Sequence, residues 1–120
     1  MSSPVFESLR VWHDARRLTS KIYEVTKDGA FGHDFGLRDQ VRRASVSVMS
    51  NIAEGFERRG DKEFLRFLQI ARGSAAEVRS QLYVAQDAGY LDARTAIDLR
   101  DQAALLVREL ASLADHRQRR

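Results

Sequence analysis

Polar side chains stand at regular spacing within the stretch RRASVSVMSNIAEGFERRG, which otherwise looks like one apolar helix. Positions spaced by i, i+4, i+7 and i+11 share one face of a helix. That face carries Arg43, Ser47, Ser50 and Glu54, with Asn51 beside it. Two interpretations follow: Asn51 and Glu54 bind a ligand, or the whole polar row lies in a contact between two helices.

Metal-binding patterns are weak in this chain. The three histidines do not follow a glutamate by three residues, so the Glu-x-x-His pairs of di-iron bundles are missing. Glu54 with Glu57, and Asp98 with Asp101, resemble the acidic pairs that hold Mg²⁺ in all-α pyrophosphatases. Such pairs are also frequent on solvated helix faces. A Mg²⁺-dependent nucleotide hydrolase is therefore a minor alternative.

Nucleophile and phosphate-loop motifs are missing as well. The glycines of GAFGHDFG have no strand before them and no Lys-Ser or Lys-Thr after them. No serine stands in a Gly-x-Ser-x-Gly turn. We predict no catalytic residue, no cofactor and no metal, and a protein that is not an enzyme.

Composition indicates one helical domain. The chain has 120 residues, 43% of them hydrophobic, with one proline, seven glycines and no cysteine. Few helix breakers favour long helices. Neither a secretory signal nor a membrane-spanning run is evident, so we expect a cytoplasmic protein without membrane contact.

Apolar periodicity predicts four helices and an antiparallel up-down-up-down four-helix bundle over residues 1–120. The expected bounds are 9–26, 37–58, 62–88 and 92–114, followed by a frayed basic tail, 115–120. Gly60 is expected to be a left-handed cap and Asp92 an N-cap.

The second and third predicted helices carry more apolar residues than one core needs. Their apolar arcs cover about half of the helix circumference, which is wider than a one-sided stripe. A second copy of the chain would cover the surplus, so we predict a homo-oligomer. The interface candidates are Val46, Met49, Ala53, Leu65, Ala76 and Tyr83.

The same two helices predict a polar seam. If they form a hairpin that turns near Gly60, facing residue numbers sum to about 120. The pairs Arg43 with Glu77 and Glu54 with Arg66 would then join opposite charges. Ser47 would face Ser74, and small residues allow close helix approach. The predicted seam residues are Arg43, Ser47, Asn51, Glu54, Arg66, Gly73, Ser74 and Glu77.

A net charge of +3, supplied mostly by arginine, permits contact with nucleic acid but does not require it. A solvated basic surface is the alternative. The candidates for phosphate contact, all expected to face solvent, are Arg16, Arg17, Lys21, Arg42, Arg117, Arg119 and Arg120.

Three motifs carry a family resemblance. They are Gln40-x-x-Arg43-Ala44, NIAEG at 51–55, and IAxGSxxE at 70–77. The chain resembles the small bacterial four-helix bundle proteins whose genes lie in intervening sequences of 23S ribosomal RNA. It is also similar to the accessory protein of diversity-generating retroelements.

The resemblance implies a left-handed antiparallel bundle and a ring-like homo-oligomer, commonly a pentamer, without established enzymatic activity. The retroelement branch implies contact with nucleic acid and a nucleic-acid-processing protein. We expect a binding or scaffold module that contacts RNA or a ribonucleoprotein. The alternative is a structural module that binds only protein partners.

Overall fold

The computed structural model describes residues 5–119, and its regular structure in that range is entirely helical. A single 3₁₀ turn, Phe6–Ser8, precedes five α-helices. These are α1 (Arg10–Val25), α2 (Gly29–His33), α3 (Phe35–Glu57), α4 (Asp61–Asp87) and α5 (Ala93–Gln118). The prediction of an all-α chain with four long helices is confirmed.

The glycine-containing segment between α1 and α3 differs from the predicted loop. It folds into the short helix α2, and α3 begins at Phe35 rather than Leu37. Asp34 explains the earlier start, because its Oδ1 accepts a hydrogen bond from the Leu37 backbone N–H at 3.1 Å. Asp34 Oδ2 also accepts from the Tyr90 hydroxyl at 2.9 Å, which raises the pKa of Tyr90.

The turn between α3 and α4 also corrects a prediction. The left-handed residue is Arg59, with φ 63°, whereas Gly60 is extended, with φ −143°. Gly60 occupies the N-cap position of α4 instead, and its carbonyl accepts from the Phe64 N–H at 2.9 Å. The glycine therefore follows Arg59, although the left-handed backbone at Arg59 is the conformation that glycine adopts without strain.

The end of α5 extends past the predicted helix boundary, so residues 115–118 are helical rather than frayed. Arg117 accounts for the extension. Its Nη1 donates to Asp61 Oδ1 at 3.0 Å, and its guanidinium lies 4.6 Å from the centre of the Phe64 ring. These contacts hold the last turn against the start of α4.

One apolar core lies between the four long helices and α2. Its fully buried side chains include Leu18, Ile52, Leu68 and Leu106, one from each long helix. Asp92 begins α5 as predicted, because its Oδ1 accepts from the Thr95 N–H at 2.7 Å. That hydrogen bond lowers the pKa of Asp92. No helix between residues 5 and 119 is long and apolar enough to cross a membrane.

Candidate interaction surfaces

A polar contact joins the middle of α3 to the middle of α4. The hydroxyls of Ser47 and Ser74 lie 2.8 Å apart. Asn51 supports the pair, because its Nδ2 donates to the Ser47 carbonyl at 2.8 Å and to the Ser47 hydroxyl at 3.0 Å. Ser74 is only 7% exposed, so its hydroxyl needs this partner. Three of the predicted seam residues therefore meet in one hydrogen-bonded group.

A polar cleft of about 450 Å³ lies beside the serine pair. It is lined by Gln40, Arg43, Ala44, Ser47, Ser74, Glu77 and Gln81. Arg43 and Glu77 thus lie on helix faces that line the same cleft, as their predicted pairing requires. No ion pair within 4.0 Å joins them in the described chain.

The other expected charge pair is replaced by two pairs within single helices. Glu54 binds Arg58 at 3.0 Å, and Arg66 binds Glu63 at 2.9 Å. The Arg66 hydrogen bond also lowers the pKa of Glu63. Phe67 explains the difference, because the guanidinium groups of Arg58 and Arg66 both lie over its ring, 5.3 and 4.6 Å from its centre. Neighbours one turn away reach each carboxylate more directly than the opposite helix does.

Gly55 is a position where α3 approaches α4 closely, and sequence reasoning missed it. A Cβ at Gly55 would lie 2.5 Å from the Phe67 Cβ and 3.2 Å from Phe64 Cδ1. Gly73, which was predicted to lie in the seam, is exposed, and a Cβ there would meet nothing within 4 Å. The available signal was a glycine inside a long helix, where glycine is disfavoured unless packing requires it.

The residues predicted for the oligomer interface differ in how far they are buried within the single chain. Val46, Ala76 and Tyr83 are exposed, with Val46 37% and Tyr83 53% accessible. Met49 and Ala53 are half-buried, and Met49 packs against the core. Leu65 lines a groove between α4 and α5. Large apolar side chains that sequence reasoning did not select are exposed too: Ile70, Val84, Ile97 and Leu105.

Comparison with known proteins identifies a family whose model matches most of the chain. Residues 7–112 match the family model described as "23S rRNA-intervening sequence protein". The chain belongs to this family. A crystal structure of a protein with unknown function, from the S23 ribosomal protein family of Bacteroides thetaiotaomicron, is similar with a TM-score of 0.76 and 17% sequence identity. The match covers 87% of this chain and 97% of that chain, and shows a shared fold. No curated protein matched the chain.

Two arginines proposed for phosphate contact have structural roles in this member of the 23S rRNA-intervening sequence protein family. Arg42 is half-buried: its Nε donates to Thr26 Oγ1 at 2.7 Å, its Nη2 donates to the Thr26 carbonyl at 3.2 Å, and its guanidinium lies over the Tyr23 ring. It closes the end of α1 rather than facing solvent. Arg117 is likewise held by Asp61, with its side chain 20% exposed.

The remaining phosphate candidates are scattered. Arg16 is exposed beside the Trp12 ring, and Arg17 binds Asp14 at 3.0 Å. Lys21 is half-buried in a groove between α1 and α5. Arg119 is exposed after α5, and Arg120 lies outside the described residues. The six candidates within the described residues are therefore divided among α1, α3 and the end of α5.

Acidic side chains that could serve hydrolysis are also separated. Asp98 and Asp101 line the α1–α5 groove with Lys21, whereas Glu54 is paired with Arg58 on α3. No cluster of three or more potential metal ligands occurs among residues 5–119. The geometry thus offers polar and apolar contact surfaces rather than an assembled set of metal-binding carboxylates.

Proposed function

We propose that this protein is a non-enzymatic scaffold: an antiparallel up-down-up-down four-helix bundle that associates with copies of itself. One observation carries the proposal. The helices α3 and α4 each supply a full stripe to the core and still expose large apolar side chains, including Val46, Ile70 and Tyr83. Burial of such side chains against another copy would be favourable.

Contact pairs along the helices support the antiparallel arrangement. Between α3 and α4, Ser47 meets Ser74, whereas Gly55, further along α3, meets Phe67, which is earlier in α4. Between α4 and α5, Arg100 donates to Gln86 at 2.7 Å, whereas Arg117 donates to Asp61 at 3.0 Å. In both helix pairs, residues further along one helix contact residues earlier in the other, which is the pattern of antiparallel helices.

The open helix position at Gly73 supports self-association independently. A glycine inside an exposed helix costs about 1 kcal/mol relative to alanine unless something approaches it closely. Nothing in the same chain lies within 4 Å of a Cβ at Gly73. A second copy packed against this part of α4 would supply a reason for glycine. The family resemblance implies a ring of five.

Light scattering tests the assembly. Five copies of the 13.7 kDa chain would weigh about 69 kDa. We expect an oligomeric mass for the wild type, and a lower mass for Val46→Glu and for Tyr83→Glu, because each would place a charge in an apolar contact. Ser20→Glu, on the exposed surface of α1 and away from α3 and α4, is the control and should keep the wild-type mass.

A wild type that remains at about 14 kDa across a wide concentration range would overturn self-association. Circular dichroism should accompany each variant, so that a lower mass is assigned to a lost contact only when helical content is preserved. If the Val46 and Tyr83 variants keep the full mass while folded, another surface forms the interface.

A second candidate function is contact with RNA. It is favoured by a basic surface other than the seven residues that the sequence suggested for phosphate contact. A groove of about 480 Å³ between α4 and α5 is lined by Lys62, Arg66 and Arg72 together with one acidic residue, Asp115. Lys62 and Arg72 are exposed. Their spacing along one helix suits a row of phosphates better than the scattered candidates do.

Gel-shift measurements with RNA in a salt series test this candidate. Phosphate contact should weaken binding steeply between about 50 mM and about 200 mM salt. The double variant Lys62→Glu, Arg72→Glu should lose binding, whereas Arg16→Glu should retain it. Binding that is absent, or insensitive to salt, would leave the protein-only scaffold. Incubation with nucleotides and Mg²⁺ tests the hydrolase alternative, for which we expect no turnover.

A further inference from the structure

Two carboxyl groups face each other across the boundary between α1 and α5. Asp14 lies on α1 and Glu109 on α5. Arg10, whose Nε lies 3.9 Å from Asp14 Oδ2, lines the same groove as Glu109, and the two carboxyl groups interact across it. Asp14 Oδ2 and Glu109 Oε1 are both buried, and neither has a hydrogen-bond donor from the described chain. Two facing carboxylate oxygens are both acceptors, so they can satisfy each other only when a proton lies between them.

Neighbouring arginines place positive charge on one side of the pair. Arg17 Nη1 lies 3.0 Å from Asp14 Oδ1, and Arg10 Nε lies 3.9 Å from Asp14 Oδ2. The group whose pKa rises is Glu109, on the other side of the pair. Burial, followed by the hydrogen bond and negative charge of Asp14, raises the pKa of Glu109 to about 7.

Few other charges act on this pair. Arg10 from α1 and Arg108 from α5 itself oppose the raised pKa of Glu109. His116 lines the groove of about 430 Å³ that borders Glu109. On the α4 side of α5, Arg117 is paired with Asp61 two turns beyond Glu109.

Grooves border the pair and the far end of the same helix boundary. The 430 Å³ groove with Leu9 and Leu113 borders it, and a larger groove of about 890 Å³ opens between Lys21 and Ile97 near the other end of α1. Water can therefore reach the α1–α5 boundary near both ends of α1.

We propose that the Asp14–Glu109 pair is a proton-dependent latch that fastens α1 to α5 in weakly acidic solution and loosens this boundary above neutral pH. The latch closes when one proton is shared between the carboxyl groups. Loss of the proton places two negative charges side by side in a partly buried position, where their repulsion is weakly screened.

The direction of the pH effect follows from linkage. Because the folded pKa of Glu109 lies above that of an unfolded glutamate, the folded chain binds more protons at intermediate pH. The stabilising contribution is complete below the unfolded pKa of about 4.3 and is lost as pH rises through about 7. This latch goes beyond the proposed scaffold function and does not depend on it.

Carbon-13 NMR of the Glu109 carboxyl, combined with urea denaturation at fixed protein concentration, tests the latch. We expect the carboxyl to titrate near pH 7 and the denaturation midpoint to fall from pH 5.5 to pH 8.5. Glu109→Gln replaces the shared proton with a permanent amide donor, so its midpoint should lose most of that fall. Amide hydrogen exchange in α1 and α5, corrected for intrinsic rates, should rise with pH more than in α3 and α4.

Two controls separate the latch from other titrating groups. Glu57→Gln, on the exposed surface of α3, should keep the wild-type pH profile. His116→Gln should keep it too, which excludes the histidine in the groove as the source. Titration of the Glu109 carboxyl at the ordinary position for glutamate would overturn the latch. So would a Glu109→Gln variant whose midpoint falls with pH as much as that of the wild type.

Discussion

The boundary between α3 and α4 and the boundary between α1 and α5 differ in their closest contacts and in their buried polar groups. At the first, Gly55 brings the α3 backbone against Phe67, and Ser47 bonds Ser74 within a half-buried polar group beside a cleft of about 450 Å³. At the second, grooves of about 890 and 430 Å³ open between the helices, and the buried polar contact is a pair of carboxyl groups.

The difference lies in how each boundary satisfies its polar atoms. Hydroxyl groups both donate and accept, so Ser47 and Ser74 form a contact that is independent of pH. Asp14 and Glu109 need a proton from solution to do the same. We infer that the α3–α4 boundary is the fixed part of the molecule and that the α1–α5 boundary is adjustable.

The largest expected effect is at Gly55. Gly55→Ala would place a Cβ 2.5 Å from the Phe67 Cβ, so the two helices would have to separate. Overpacking typically costs about 1–3 kcal/mol, more than the gain of about 1 kcal/mol in helix propensity. We expect the free energy of unfolding to fall, as measured by urea denaturation.

Gly73→Ala is the matched control for Gly55→Ala. Nothing in the chain would contact the new methyl group, so a single copy should gain about 0.5–1 kcal/mol. Equal destabilisation by the two alanines in a monomeric sample would contradict the close approach at Gly55. A loss of oligomeric mass only in Gly73→Ala would instead place Gly73 at the subunit contact.

A somewhat smaller effect is expected at the serine pair. Ser47→Ala leaves the buried hydroxyl of Ser74 without its partner, which should cost about 1–2 kcal/mol. Adding Ser74→Ala should cost less than the sum of the two single changes, because both polar groups are then gone. Additive losses in this double-mutant cycle would show that the hydroxyls do not interact. Ser50→Ala, on exposed surface, should change stability by less than about 0.5 kcal/mol.

The turn that sets the α3–α4 boundary should be improved by glycine. Arg59 has φ 63°, a conformation that costs a non-glycine residue about 1 kcal/mol. Arg59→Gly should therefore raise the free energy of unfolding by up to about 1 kcal/mol. Unchanged or lower stability in thermal and urea denaturation would argue against this turn.

The smallest effect is expected in the α1–α5 groove. Ile97 is exposed at its edge, so Ile97→Ser should change stability by less than about 0.5 kcal/mol in a single copy. A loss comparable with that of Gly55→Ala would show that this groove is packed in solution. The contrast between the two boundaries would then fail.

Sequence patterns predicted the parts of the molecule that depend on local spacing. Apolar periodicity gave the four long helices, and the hairpin sum brought Ser47 to Ser74. The same sum paired Glu54 with Arg66, which is wrong because Arg58 and Glu63 lie one turn away on their own helices. The roles of surface arginines were harder still to predict from the sequence. Arg42 and Arg117 look like free cations in the sequence, yet both are held by other segments of the chain.

The sequence alone determined the helical class, the family and the polar row on α3, because each depends on residue types at short, regular spacing. The tertiary structure decided which glycine allows close approach, which arginines are occupied, and that Asp14 meets Glu109. Those outcomes depend on helix rotation and on atoms brought together from distant parts of the chain. A difference of a few ångströms decides them, and residue spacing does not encode it.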